Sequence, residues 1–224
     1  MAIELRFRVF KDPVSASTHF AGFLIGIIGV GALLFAAARD PGKLVGMAIY
    51  GGALLTLFLA SSLYHFLDVS ERVNHWLRRC DHAAIFLFIA ACFVPPVLHL
   101  MDGTWRVVLL SVAGTLGVAG AAYKLIWFRA PLWVDMTGYL GMGWLGVTLL
   151  PRMFSAQPSY AIWMMAGGLS YTVGAVVYAL ERPNPWPRVF GHHEIWHLFV
   201  LGGAASHYVL MFSLLDWPRP PFAG

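Results

Sequence analysis

Long apolar runs follow one another along nearly the whole chain, and short polar segments separate them. Each run has about 20 residues, enough for an α-helix to cross a hydrocarbon core of roughly 30 Å. Turn-forming residues such as Asp40, Pro41 and Gly42 stand in the gaps. The pattern predicts an all-α membrane protein, a bundle of seven transmembrane helices at about residues 14–38, 44–67, 82–101, 106–127, 132–151, 159–180 and 192–215.

The fifth run is the least regular of the seven. Asp135 interrupts it near its start and Pro151 is expected to end it, yet the residues between them are too apolar for a surface loop. We therefore keep this run as a helix. We expect Asp135 to lie near the cytoplasmic end and to be solvated.

The distribution of cations predicts the orientation of the bundle. Lys and Arg in short loops are retained on the cytoplasmic side of a membrane. With the N-terminus inside, about two-thirds of the 15 Lys and Arg residues fall on that side. This places the C-terminus outside and divides the chain into a cytoplasmic segment at 1–13, a transmembrane domain at 14–216 and a short outer tail at 217–224.

Composition supports a membrane protein and excludes two other classes. The chain is 59% hydrophobic and only 12% charged, about half the charged fraction of a soluble domain, and its mean hydropathy is +0.70. The net charge of +4 comes from single cations between apolar runs, without the basic face of a nucleic-acid-binding protein. Cys80 and Cys92 lie at different depths of one predicted helix, which excludes a disulfide framework.

Histidines at the cytoplasmic ends of the predicted helices are candidate metal ligands. His193 and His197 open the last helix four residues apart and therefore lie on one helix face. His65 is near the end of the second helix, and Asp81 is near the start of the third. With the N-terminus inside, all four residues share one depth, so we expect them to converge.

Three imidazoles with one position left for water are typical of a catalytic Zn²⁺ site. Asp81 could orient the water or act as general base, and Ser61, one turn before His65, could donate a hydrogen bond. Any one of these histidines alone could be an interfacial residue. Several polar side chains at one depth on separate helices favour the metal site, with His65, His193 and His197 as ligands.

Other polar residues could support this site or contact a lipid. His19, one turn after Ser15 in the first helix, is a further ligand, a neighbouring hydrogen-bond donor or a packing contact. His207 lies about 15 Å deeper than His197, so we expect it to hydrogen-bond another helix or a lipid head group. Tyr171 and Tyr178, one heptad apart, either line a lipid site or pack as ordinary aromatic residues.

Three sequence blocks resemble the hemolysin III branch of the progestin and adipoQ receptor (PAQR) superfamily. They are DPVSASTH, SSLYH with the acid of RCDHAAIF, and HHEIWHLFVLGGAASHYV. The resemblance implies a seven-helix fold in the bacterial inner (plasma) membrane, and zinc held by three histidines with Asp81 contacting it through water. The motif residues it implies are Asp12, Ser15 and His19, then Ser61, His65 and Asp81, then His193, His197 and His207.

Three functions are compatible with these residues. The first is zinc-dependent hydrolysis of an amide or ester bond, with a membrane lipid as substrate. The second is a non-enzymatic protein of membrane homeostasis or lipid sensing, in which zinc is structural. The third is a pore-forming cytolysin, against which we find no repeated polar stripe to line a water channel. The oligomeric state is left open.

Overall fold

The computed structural model describes residues 8–9, 11–127, 130–187 and 189–216, with the backbone alone at 8–9. Most of the predicted cytoplasmic segment at 1–13 and the whole predicted outer tail at 217–224 lie outside the described residues.

The described chain is almost entirely helical. A 3₁₀ segment, Leu145–Leu149, joins α5 to α6, and another, Leu214–Asp216, extends α8. A two-residue antiparallel ladder pairs β1 with β2. The elements are β1 (Arg8–Val9), α1 (Pro13–Ala37), α2 (Pro41–Phe66), β2 (Leu67–Asp68), α3 (Glu71–Leu100), α4 (Gly103–Ile126), α5 (Leu132–Trp144), α6 (Leu150–Ala156), α7 (Pro158–Ala179) and α8 (His192–Ser213).

The prediction of seven transmembrane helices is confirmed. The fifth of them consists of α5, the 3₁₀ segment Leu145–Leu149 and α6, which follow one another without a loop. The other six described helices are each long and apolar enough to span a membrane. On α1, the outward-facing side chains of Ile25, Ile28 and Phe35 are 70%, 76% and 87% exposed. An apolar face of this size requires a lipid environment. The chain is a multi-pass membrane protein.

Helix starts follow from local capping chemistry. The Asp40 carboxylate accepts hydrogen bonds from the backbone N–H groups of Gly42 and Lys43, both at 3.0 Å, at the start of α2. The Ser70 hydroxyl accepts from Val73 N–H at 3.3 Å at the start of α3. These side chains satisfy donors that have no partner within the helix.

The last helix, α8, packs back against the first, α1. Consecutive helices pack against each other through α4, and α5 lies between α4 and α7. The central helix is α3, because 67% of its most apolar window is buried, the largest share among the candidate spans. It contacts α2, α4, α5 and α8 and carries Asp81 into the interior.

Two predicted helix boundaries were wrong. Helix α3 begins at Glu71 and not at 82, so Asp81 lies within the helix and not at its start. Pro151 does not end the fifth segment, because it occupies the first turn of α6, which continues to Ala156. Proline is tolerated in a first helical turn, where its missing N–H would have no partner in any case.

The expectation that Asp135 is solvated was also wrong. Asp135 is buried and forms an ion pair with Lys124, whose side chain is 0% exposed. Lys124 is in the last turn of α4 and Asp135 in the first turn of α5. The short connection between these helices brings the two opposite charges together, and a buried charge is tolerated when it is paired.

Candidate metal centre

Three histidines from two helices converge at one end of the bundle. His65 comes from the last turn of α2, and His193 and His197 come from the first two turns of α8. One ring nitrogen from each lies within 4.8 Å of the other two. The ring centroids are 5.1 Å apart for His65 and His193, and 4.9 Å apart for His65 and His197. This is the set that the sequence predicted as metal ligands.

The Asp12 carboxylate orients the His65 ring. Its Oδ2 atom lies 2.9 Å from Nδ1 of His65, and because an ionised carboxylate only accepts, Nδ1 is the protonated nitrogen. This hydrogen bond lowers the pKa of the Asp12 carboxyl below its ordinary value of 3.8, and the charge of Lys11 acts in the same direction. The lone pair of His65 is thereby directed to Nε2, on the other side of the ring.

The described residues fit a zinc ion by their chemistry. Nε2 of His65, the nitrogen that Asp12 leaves without a proton, is buried and has no hydrogen-bond partner among the described residues. Leaving such an atom unpaired in a dry interior is unfavourable, whereas a cation would satisfy its lone pair. Neutral imidazole nitrogens in a group of three are also the donor set of open zinc sites.

Ser61 and Asp81 lie in the same region as the histidines. Ser61 is one turn before His65 on α2 and hydrogen-bonds the Asp81 carboxylate. Asp81 also interacts electrostatically with His65. Both residues line the same cavity as His193 and His197.

Helix α1 covers the cluster from one side. The ring of His19 packs on that of His197 with centroids 3.9 Å apart, but His19 is not in the group whose nitrogens converge. The Ser15 hydroxyl donates to Oε1 of Glu194 at 3.1 Å, and Oε2 of Glu194 accepts from Gly191 N–H at 2.8 Å. Helix α1 is thus bound directly to the first turn of α8.

Glu194 is a further polar residue at this site, and local sequence patterns did not identify it. Glu194 is at the third position of α8 and accepts from the N–H of Gly191, which is half of a capping box, but glycine has no side chain to complete the sequence signature. Arg78 and His82 of α3 were also missed, and both line the cavity next to Asp81. No spacing rule connects Arg78 or His82 to the histidines, which lie on other helices.

A cavity of about 500 Å³ runs from the histidine cluster into the bundle. His207 lines its deep end, and Tyr171 of α7 lies there with a ring centroid 5.4 Å from that of His207. Tyr178 lines the end near the metal ligands, with a ring centroid 5.4 Å from that of His193. Between the two ends the walls are mostly apolar, with Ile89 and Val200 among them.

Comparison with known proteins places the chain in a family. A family model described as "Haemolysin-III related" matches residues 7–208, which is most of the chain. The chain belongs to the haemolysin-III related family. The stated resemblance to hemolysin III proteins is therefore confirmed.

Relatives of this haemolysin-III related protein occur in bacteria, plants and animals. The chain is 29% identical to the "Hemolysin-3 homolog" of Bacillus subtilis, over 95% of this chain and 98% of that protein. It is 36% identical to "Heptahelical transmembrane protein 4" of Arabidopsis thaliana, over 76% of this chain and 48% of that protein. It is 28% identical to the human "Monocyte to macrophage differentiation factor", over 92% of this chain and 85% of that protein.

Proposed function

We propose that this protein is a zinc-dependent hydrolase that cleaves an amide or ester bond of a membrane lipid. One observation carries the proposal: ring nitrogens of three histidines converge within 4.8 Å at one end of a cavity of about 500 Å³ whose walls are mostly apolar. The bacterial relatives and the cation distribution support a bacterial inner membrane, with the histidines near the cytoplasmic face.

In this proposal His65, His193 and His197 hold the zinc. When bound, zinc supplies Lewis acidity and a concentrated positive charge in a site of low polarity. Asp12 keeps His65 in the tautomer whose Nε2 atom is free to bind, through the 2.9 Å contact. Oriented ligands of this kind raise metal affinity.

Asp81 is the proposed general base. Its carboxylate lines the cavity next to the ligand set and can accept a proton from a water molecule there. Ser61 hydrogen-bonds this carboxylate and fixes its position. The apolar part of the cavity holds the acyl chain of the lipid and keeps the scissile bond close to the polar end.

A second candidate function is lipid sensing or membrane homeostasis with structural zinc. The favouring observation is that the ligands connect α2 to α8, while Asp12 and Ser15 connect both helices to the start of α1. Under this alternative, zinc holds α2 and α8 together beside α1, and Asp81 has no part in turnover.

The experiment measures zinc content and fatty-acid release for the same purified samples. Wild type is compared with His197→Ala, Asp81→Ala and the control His75→Ala, which changes an exposed histidine at the start of α3. We expect His197→Ala to lose both zinc and release. We expect Asp81→Ala to retain zinc and lose release, and His75→Ala to behave as wild type.

Each contrary result removes a defined part of the proposal. If wild type binds zinc but releases no fatty acid from a broad panel of lipid amides and esters, the hydrolase is refuted and the structural role of zinc stands. If wild type and His197→Ala bind equally little zinc, the metal site itself is refuted.

A further inference from the structure

The deep end of the cavity contains polar side chains that the proposed hydrolysis does not use. Tyr171 of α7 and His207 of α8 meet there, and Cys92 of α3 also lines the cavity. Tyr50 of α2 is close enough to Tyr171 to interact with it electrostatically but does not line the cavity. The hydroxyl groups of Tyr50 and Tyr171 and both ring nitrogens of His207 are buried and lack a hydrogen-bond partner of ordinary geometry within the described part of the chain. We call Tyr171, His207 and Cys92 the deep polar cluster.

Small residues make room for the rings of this cluster. A Cβ atom at Gly167 would lie 2.3 Å from Cδ2 of His207, and one at Gly203 would lie 2.5 Å from the Tyr171 ring. Both rings therefore sit deep between α7 and α8 because two glycines leave space for them. Less than a tenth of His207 is exposed, so bulk water does not satisfy its nitrogens.

Unpaired polar atoms at this depth are unfavourable, because neither lipid nor an apolar wall replaces the lost hydrogen bonds. A neutral imidazole has one N–H donor and one acceptor nitrogen. The Met164 carbonyl is close to the His207 ring and can take the donor, which leaves a nitrogen that needs a donor. Tyr171 offers a hydroxyl that can donate or accept.

A hydroxyl group matches both requirements, because it donates to the imidazole nitrogen of His207 and accepts from the Tyr171 hydroxyl. An unsubstituted methylene chain offers neither bond. His207 is ten residues beyond His197 on α8, so the cluster is about 15 Å deeper than the metal ligands. The cavity wall between them is apolar, including Ile89, Phe93 and Val200.

We propose that the deep polar cluster is a second subsite, which binds a hydroxyl group carried in the middle of the acyl chain of the bound lipid. The subsite rests on the proposed function in one respect, that the cavity holds a lipid chain. It selects hydroxylated chains over unsubstituted ones, and it does so whether or not the lipid is then hydrolysed.

The test measures binding and not turnover. Full-length protein in lipid nanodiscs is titrated with stearic acid and with hydroxystearic acids that carry the hydroxyl near the carboxyl group, in the middle or near the tail, each displacing a fluorescent fatty acid. We expect wild type to bind the mid-chain isomer about tenfold more tightly than stearic acid, the effect of one or two buried hydrogen bonds. The other two isomers should bind about as weakly as stearic acid.

Variants assign the preference to the cluster. Tyr171→Phe removes one oxygen and keeps the ring, and we expect it to reduce the mid-chain preference to about twofold or less. Tyr208→Phe is the matched control, because its hydroxyl donates to the Gly29 carbonyl and Tyr208 does not line the cavity. The control should keep the full preference. If Tyr171→Phe does not fold, the series of isomers on wild type decides.

Two results would overturn the subsite. Equal affinity of wild type for stearic acid and all three isomers means that the cluster holds water only. A preference that survives both Tyr171→Phe and His207→Phe means that the selection occurs elsewhere in the cavity. Failure of the hydrolase proposal is distinct, since the preference should persist in metal-free protein and in Asp81→Ala, which release no fatty acid.

Discussion

Asp12 and His65 form a carboxylate–imidazole pair across the start of α1 and the end of α2, with 2.9 Å between Oδ2 and Nδ1. The backbone strengthens this junction, because Asp12 N–H donates to the His65 carbonyl at 3.0 Å. The carboxylate controls which imidazole nitrogen is free. It therefore acts on the proposed metal site without binding the ion.

Asp12→Ala should weaken zinc binding by about 10- to 100-fold, the usual effect of removing a carboxylate that orients a ligating histidine. Affinity is measured by competition with a chromogenic chelator. Asp102→Ala, an exposed carboxylate at the opposite end of the bundle, is the control and should bind zinc as wild type does. Equal affinities for the two variants would show that Asp12 does not set the His65 tautomer.

Removal of zinc should lower the thermal stability of the protein. The proposed ligands lie on α2 and α8, so the ion holds the ends of two helices together, and a ligand that binds only the folded state stabilises it by about 4 kcal/mol at a thousand times its Kd. The melting temperature in detergent is compared before and after chelation. His197→Ala should show no shift on chelation, and a wild type that melts identically with and without bound zinc would contradict the prediction.

Breaking the buried ion pair between Lys124 and Asp135 should lower the free energy of unfolding. Asp135→Ala removes the carboxylate that pairs with the buried Lys124 ammonium, and breaking such a pair costs about 3–5 kcal/mol. Asp102→Ala, which breaks the more exposed pair with Arg106, should cost about 1 kcal/mol or less. Unfolding in denaturant provides the comparison.

The double variant Lys124→Met with Asp135→Leu provides the second arm of that experiment. It removes both charges and should recover most of the stability lost in Asp135→Ala, because no unpaired charge remains. A double variant as unstable as the single one would show that these residues stabilise the junction of α4 and α5 by packing and not by charge.

Gly174 allows α7 and α8 to approach closely. A Cβ atom at this position would lie 2.5 Å from Cβ of Phe199 and 2.8 Å from the Trp196 ring. Gly174→Ala should therefore destabilise the protein by about 1–3 kcal/mol and reduce zinc retention, since Trp196 and Phe199 flank His197. Gly168→Ala on the same helix meets no described atom within 4 Å, and it should be neutral or slightly stabilising because alanine favours helix.

Much of the fold was predictable from local patterns. Six spans were recognisable because each is a long apolar run that ends in turn or capping residues, as at Asp40 and Ser70. The fifth membrane segment, formed by α5, the 3₁₀ segment and α6, was harder to predict. In the sequence alone, Pro151 indicates the end of a helix. In the structure, Pro151 lies in the first turn of α6, so the helical segment continues beyond it.

The convergence of His65, His193 and His197 was predictable because topology fixes depth. Alternating helices bring the end of the second span and the start of the seventh to one membrane face, and a spacing of four residues places two histidines on one helix side. The partners of those residues were not predictable to the same extent. The contact of Ser15 with Glu194 spans 179 positions along the chain, and no local pattern indicates which side chain a serine will meet.

The sequence by itself determined the membrane environment, the number of helical segments and the shared depth of the histidines, because hydropathy and helical periodicity act over neighbouring residues. Only the tertiary structure decided which faces meet. It buried Lys124 with Asp135 and placed His207 beside Tyr171 at the end of a cavity, because these contacts depend on how separate helices rotate and pack against each other.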